Sequence, residues 1–283
     1  MKAAAVIKSL IRTTSILGLI AASGCASPPL IRPGAAWLDN RGKQIQSHGG
    51  GVIKLGEAYY WFGEDRSRDN DPNYRYVACY SSADLAHWKF RRQVIKLSDP
   101  EQLGHNWVLE RPKVFYNTKT KKFVMYAHMD GKGGYKFARV AVFTCDKVDG
   151  DYQYLKNFRP LGHESRDIGQ FIDDDGTAYL IFEDRPFGFR IAKLSDDYLT
   201  VEKQMCLIPE HLEGGAVEKT RAMNLWSALT MYRGSSRGAK SAAPAPVASR
   251  IAESAGALEE ATAVARGCDI DKPRNLAKSV TVE

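Results

Sequence analysis

Two carboxylates stand where strand-like segments begin: Glu110 in Val108-Leu-Glu-Arg-Pro-Lys-Val-Phe-Tyr116, and Asp167 in Ser165-Arg-Asp-Ile-Gly-Gln-Phe171. A third acid, Glu64, closes the segment Ala58-Tyr-Tyr-Trp-Phe-Gly-Glu64. Carboxylates gathered around one bond are the apparatus of glycosidic hydrolysis. One gives a proton to the leaving oxygen, and another group activates water from the opposite face. Read singly, each acid has a plainer use. Glu110 can pair with Arg111 at a strand end, and Asp167 can pair with Arg166 or cap a turn. The chemistry therefore needs a fold that brings distant strand ends together.

The surrounding sequence supplies one. Val108–Tyr116 is followed by a polar turn, Asn117–Lys122, and a second apolar strand, Lys122–Asp130. The same layout occurs upstream in His48–Glu64 and downstream in Ser165–Glu183. Further strand signals lie at Arg75–Ser82, Asp84–Phe90, Phe137–Cys145, Gly150–Leu155, Phe189–Ser195 and Tyr198–Val201. Each unit is thus four short strands. A four-stranded repeat favours a β-propeller over a sandwich, which would not need one motif three times. Propellers set the starts of their inner strands around a central axis, so Glu110 and Asp167 are expected to face it. The run Tyr59-Tyr-Trp-Phe62 reads as core strand, and Asp173-Asp-Asp-Gly176 as a hairpin turn rather than a calcium loop.

The net charge of +7 divides unevenly. Residues 1–33 and 219–283 each carry net +4, and residues 34–218 carry net −1. The body has no basic stripe, which excludes nucleic acid as a partner. Cys79, Cys145, Cys206 and Cys268 fit neither a zinc pattern nor a dense disulfide framework, and buried thiols are expected. His48, His128 and His163 are scattered and do not read as a metal site.

Residues 1–25 form a targeting segment: Lys2, Lys8 and Arg12, then the apolar run Ile16–Ala22, then Ser23-Gly-Cys25. The ending resembles a bacterial lipoprotein signal in which Cys25 becomes the lipidated first residue. Ala22, where Leu is usual, leaves plain secretion open. Residues 26–44 are a leader and 45–218 the β domain. After Glu218 the alternation stops, and residues 219–283 read as a low-complexity tail, disordered or weakly helical. The change of composition suggests a truncation or a shift of reading frame between 217 and 225. An exported or cell-surface location and a monomer are expected, with membrane contact only through Cys25.

In order along the chain, His48-Gly-Gly-Gly, Tyr60-Trp-Phe-Gly-Glu64, Cys79-Tyr-Ser-Ser-Ala-Asp-Leu-Ala-His-Trp-Lys-Phe90, Leu109-Glu-Arg-Pro-Lys-Val114 and Ser165-Arg-Asp167 with Asp173-Asp-Asp-Gly-Thr-Ala-Tyr-Leu180 resemble glycoside hydrolase family 43. The resemblance covers about residues 37–218 and is strongest to the exo-β-1,3-galactanase (galactan 1,3-β-galactosidase) branch. It implies an all-β, five-bladed propeller, of which this chain holds about three and a half blades. It also implies inverting hydrolysis of β-1,3-galactan, a polysaccharide or oligosaccharide substrate, and no cofactor. By that resemblance Asp167 orients the acid and tunes its pKa, Glu110 is a pocket carboxylate, and Glu64 and Tyr135 bind sugar. The general acid maps onto Glu218, with Glu213 the fallback, although Val217 and Lys219-Thr220 depart from the family's pattern. The Asp that serves most of the family as base is replaced by Ser47-His48. The branch's alternative base belongs to a later blade that this chain lacks, which leaves turnover open. An arabinofuranosidase or β-xylosidase, a catalytically silent sugar-binding protein and a non-functional fragment are the competing readings.

Overall fold

The computed structural model describes residues 36–68, 70–71, 74–96, 107–131, 134–209, 212–219, 226–232 and 281–282. The segment read from sequence as a targeting signal, most of the segment read as a leader and most of the segment read as a tail lie outside the described residues. From residue 212 onward the backbone alone is described, apart from buried Gly215.

The first sheet comprises β1 (His48–Leu55), β2 (Ala58–Asp65), β3 (Tyr76–Ser82) and β4 (Lys89–Ile95), paired antiparallel in chain order. The second comprises β5 (Val108–Asn117), β6 (Lys122–Asp130), β7 (Arg139–Cys145) and β8 (Gln153–Phe158). The third comprises β9 (Ile168–Ile172), β10 (Ala178–Asp184), β11 (Gly188–Leu194) and β12 (Val201–Ile208). A hairpin of β13 (Leu212–Lys219) and β14 (Trp226–Tyr232) follows, and β15 (Thr281–Val282) pairs with β1 at Gly50 and Gly51. β14 and β15 fall in the segment read from sequence as a tail. Strand β1 lies against β5, β5 against β9 and β9 against β13, so the first strands of the successive sheets line one axis. Four-stranded sheets stacked side by side are the propeller arrangement expected from the repeat.

Period-two alternation explains why these strands read as continuous apolar runs. On β6, Phe123, Met125, Ala127 and Met129 pack toward Ile53, Phe62, Val77 and Cys79 of the first sheet. The intervening Val124 and Tyr126 pack toward Ile168, Leu180 and Phe182 of the third. Each middle sheet is therefore buried on both faces. Phe62 and Trp61 are likewise buried on opposite faces of β2, which places the Tyr59–Phe62 run in the core.

Some local expectations are met and others need refinement. Asp84–Phe90 is not one strand. Asp84 Oδ1 accepts the N–H groups of Ala86 and His87, Leu85 sits at φ 64, and the chain bends before β4 starts at Lys89. Such Asx turns compete directly with strand pairing. Asp173–Gly176 is a hairpin turn as expected: Gly176, at φ 84, donates to Asp173 O, and Asp173 donates to Thr177 O. Cys79 and Cys145 are free thiols, Cys79 buried and Cys145 half-buried. Cys206 is disulfide-bonded, which its spacing did not signal.

Candidate active site

At the axial ends of the first three sheets lies a cavity of about 200 Å³. Glu64, Glu110, Tyr135 and Asp167 all line it, so four of the five candidate residues meet. The fifth, Glu218, lies in β13 with the fallback Glu213, and only the backbone is described there. That strand is held close to the site. A Cβ on Gly169 of β9 would fall 2.2 Å from Gly215 O, so the two backbones touch where neither residue has a side chain.

A bulge builds the central part of the wall. The β5–β6 register shifts between Glu110 and Lys113, and Arg111 is held at φ 52. A side chain bearing Cβ is uncommon there, and such conformations persist where the surroundings dictate them. The bulge turns Arg111 across the axis. Its backbone N–H donates to Glu64 Oε1 at 2.8 Å, and its Nε lies 2.6 Å from Asp167 Oδ1. Two sequence alternatives are thereby corrected: Arg111 pairs with Asp167 rather than Glu110, and Arg166 reaches Glu164 at 3.1 Å rather than Asp167. Lys113, fully buried, donates Nζ to Gly49 O at 2.7 Å and Gly50 O at 3.2 Å, joining the glycine run of β1 to β5.

Glu110 stands directly opposite His128 across the β5–β6 ladder. His128 Nδ1 lies 3.3 Å from Glu110 Oε2, and the Tyr135 hydroxyl donates to Glu110 Oε1 at 2.9 Å. Arg66 Nη2 stands 3.8 Å from Glu110 Oε1 and donates Nε to Glu64 Oε2 at 3.1 Å. Burial pushes the Glu110 carboxyl up, but His128, Tyr135 and Arg66 outweigh it, and the group is held below the ordinary carboxylate range. Burial likewise opposes the charge on His128, yet Asp130 and Glu110 raise its pKa above that of a free imidazole. The Tyr135 hydroxyl is pushed up to about 12 by burial and by the Glu110 charge, so it stays a donor. At the start of β1, His48 Nδ1 is 3.3 Å from Glu64 Oε1, within ion-pair distance but out of line for a hydrogen bond.

These contacts make Glu110 a fixed anionic acceptor. Tyr135, 47% exposed as a residue, offers a face and a hydroxyl beside it. Arg166 lines the same cavity, and its Nε and Nη1 are buried without a hydrogen-bond acceptor. None of His128, Arg66, Arg111, Arg166 and Arg185 was given a place in the site from sequence. The Arg-Asp and Glu-Arg-Pro motifs contain two of them, but their partners lie in other sheets. Tyr135→Phe removes one hydrogen bond to a charged carboxylate, a contribution of about 1.5–3 kcal/mol. It is expected to lower the melting temperature by about 3–12 °C and to let the Glu110 titration rise toward the ordinary carboxylate range. Thermal melts and ¹³C-observed titration check this, and an unmoved Glu110 titration would remove Tyr135 from its hydrogen-bond shell.

A family model described as "Glycosyl hydrolases family 43" matches residues 48–223. Solved structures are similar as well. The exo-β-1,3-galactanase of Phanerochaete chrysosporium, solved with galactose, is 35% identical at a TM-score of 0.65 over 71% of this chain and 47% of its own. A family 43 β-1,3-galactosidase solved with galactodeoxynojirimycin is 30% identical at a TM-score of 0.63 over 71% of this chain and 73% of its own. The exo-β-1,3-galactanase of Clostridium thermocellum is 31% identical at a TM-score of 0.63 over 70% and 45%. The chain spans about half the length of the two exo-galactanases. No curated protein is significantly similar to it.

Proposed function

We propose a reaction from one premise: the chain belongs to glycosyl hydrolases family 43. The reaction is inverting hydrolysis of β-1,3-linked galactan, releasing galactose from a chain end. The observation that carries this reading is the meeting of Glu64, Glu110 and Asp167 with Tyr135 around one small polar cavity. Its volume of about 200 Å³ lies below the ~300–1,000 Å³ of sites for drug-sized ligands, which suits one terminal sugar ring.

The roles follow from the charges. Inverting chemistry needs an acid that is protonated before the reaction and a base for the attacking water. Glu110 is held ionised and donates no proton, so it accepts from sugar hydroxyls. Asp167, anchored on Arg111, supplies a fixed negative charge that holds the acid in its protonated form. The acid is assigned to Glu218 by its family motif. The N-terminal segment suits an exported protein, with Cys25 as the site for a lipid anchor or, failing that, plain secretion. One observation favours a second reading, a galactan-binding protein without turnover: His48, against Glu64, occupies the strand start where most of the family has its base.

Incubation of the purified chain with β-1,3-galactan separates the two. Free galactose appearing first as the α-anomer by NMR is expected. Saturable binding without release would replace the hydrolase reading with the second, and neither binding nor release would overturn both.

A further inference from the structure

We propose that Asp130 is a positioning residue for Glu110, acting through both of the groups that donate to that carboxylate. Asp130 is fully buried at the end of β6. Its Oδ2 accepts from His128 Nε2 at 2.8 Å, and the opposite nitrogen of that ring faces Glu110 Oε2. Its Oδ1 accepts the backbone N–H groups of Phe137 at 2.6 Å and Ala138 at 3.0 Å. Those bonds pin the turn that carries Tyr135, with Ala138 at φ 45. The Tyr135 hydroxyl donates to the other oxygen of Glu110, and its ring stacks on His128 at 5.7 Å between centroids.

One carboxylate therefore fixes a donor on each oxygen of another. With one donor per oxygen, the remaining lone pairs of Glu110 are left for sugar hydroxyls in a single orientation. A free glutamate samples several rotamers, and immobilising such a side chain on binding opposes association. Here the ordering is complete before the ligand arrives. The charges agree with the geometry: burial opposes ionisation of all three groups, yet Asp130 and Glu110 are held low and His128 high. The other charged groups facing this chain include Arg66, beside Glu110, Glu64, whose charge reaches the Tyr135 hydroxyl, and Arg166, whose guanidinium lies 5.9 Å from the Tyr135 ring centroid.

The inference rests on reading Glu110 as a sugar-holding residue, so its test has a readout independent of sugar. Asp130→Asn keeps an acceptor for Phe137 and Ala138 but turns an amide donor toward His128 Nε2. The ring can then donate to Glu110 only as a neutral imidazole. At pH 7 the variant is expected to lose the doubly protonated ¹⁵N signature of His128. The ¹³C-observed titration of Glu110 should move up toward the ordinary range, and affinity for β-1,3-galactobiose should fall about tenfold. A Glu110 titration unmoved in Asp130→Asn overturns the proposal. If that variant does not fold, His128→Gln, which spares the bonds to Phe137 and Ala138, tests the His128 half of the relay by the same titration, and an unmoved Glu110 there overturns the proposal as well. A wild-type protein that binds no galactobiose, while the titration still moves in the variant, supports the positioning role and overturns the galactan reading alone.

Discussion

Replacing Asp167 with Asn is expected to lower galactose release by about 10²–10³-fold while lowering the melting temperature less than Asp167→Ala does. Asn preserves the shape and one acceptor oxygen, so Arg111 Nε keeps a partner where Asp167 Oδ1 now stands at 2.6 Å. Only the negative charge is removed. That charge opposes the guanidinium of Arg111 and, in the proposed mechanism, keeps the acid protonated. Asp167→Ala differs. Both side chains of the pair are largely buried, at 13% and 12% exposure, and breaking a buried pair costs about 3–5 kcal/mol. The Ala variant should therefore lose stability as well as activity. Rates of galactose release set beside thermal melts separate the two effects. An Asn variant with the wild-type rate would sink the electrostatic role.

The second large effect is on the scaffold. Gly63→Ala is expected to destabilise the protein by about 4 kcal/mol or more, beyond what most single substitutions do. A Cβ at Gly63 would lie 2.3 Å from the Ser47 carbonyl carbon and 2.4 Å from its Cα. Backbone atoms cannot rotate away as a side-chain tip can. The neighbouring chain is also tethered, since Gln46 N–H donates to the Tyr80 hydroxyl at 3.0 Å. Relief requires the segment entering β1 to lift off β2, taking His48 away from Glu64. A fall in melting temperature of about 8–16 °C corresponds to that loss for a domain of ~150–250 residues. A fall of under about 2 °C would show that the segment yields without cost.

Much of the fold was legible because its signals are local. Gly56-Glu57, Thr118–Lys121 and Asp174–Gly176 are polar turns between apolar strands, and each forms the expected hairpin. Threefold recurrence of that pattern implied stacked four-stranded sheets. The site was legible only as far as its acids went. That Glu110, Asp167 and Glu64 share a cavity follows from their places at strand ends. What each carboxylate touches depends on a bulge at Arg111 and on partners well separated in sequence, 18 residues for Glu110 and His128 and 47 for Glu64 and the Arg111 N–H. No sequence period encodes those distances. His128 and Asp130 were hidden for another reason. They lie within β6 at alternate positions to Phe123–Met129, where alternation in a doubly buried strand predicts only core. The β4 boundary was missed because Asp84 and Ser82 side chains satisfy the backbone locally, with Ser82 Oγ accepting from Leu85 N–H at 2.9 Å.

Lys113 has a consequence for how the molecule comes into being. Its ammonium reaches Gly49 O from 64 residues further along the chain. During synthesis the first sheet must wait for that cation, with its axial glycines lacking the tether that finally seats them. Contacts of such wide separation form only after the costly closure of the intervening loop. The pocket is therefore a late product of assembly, and its Glu64 wall acquires its shape only when the second sheet docks.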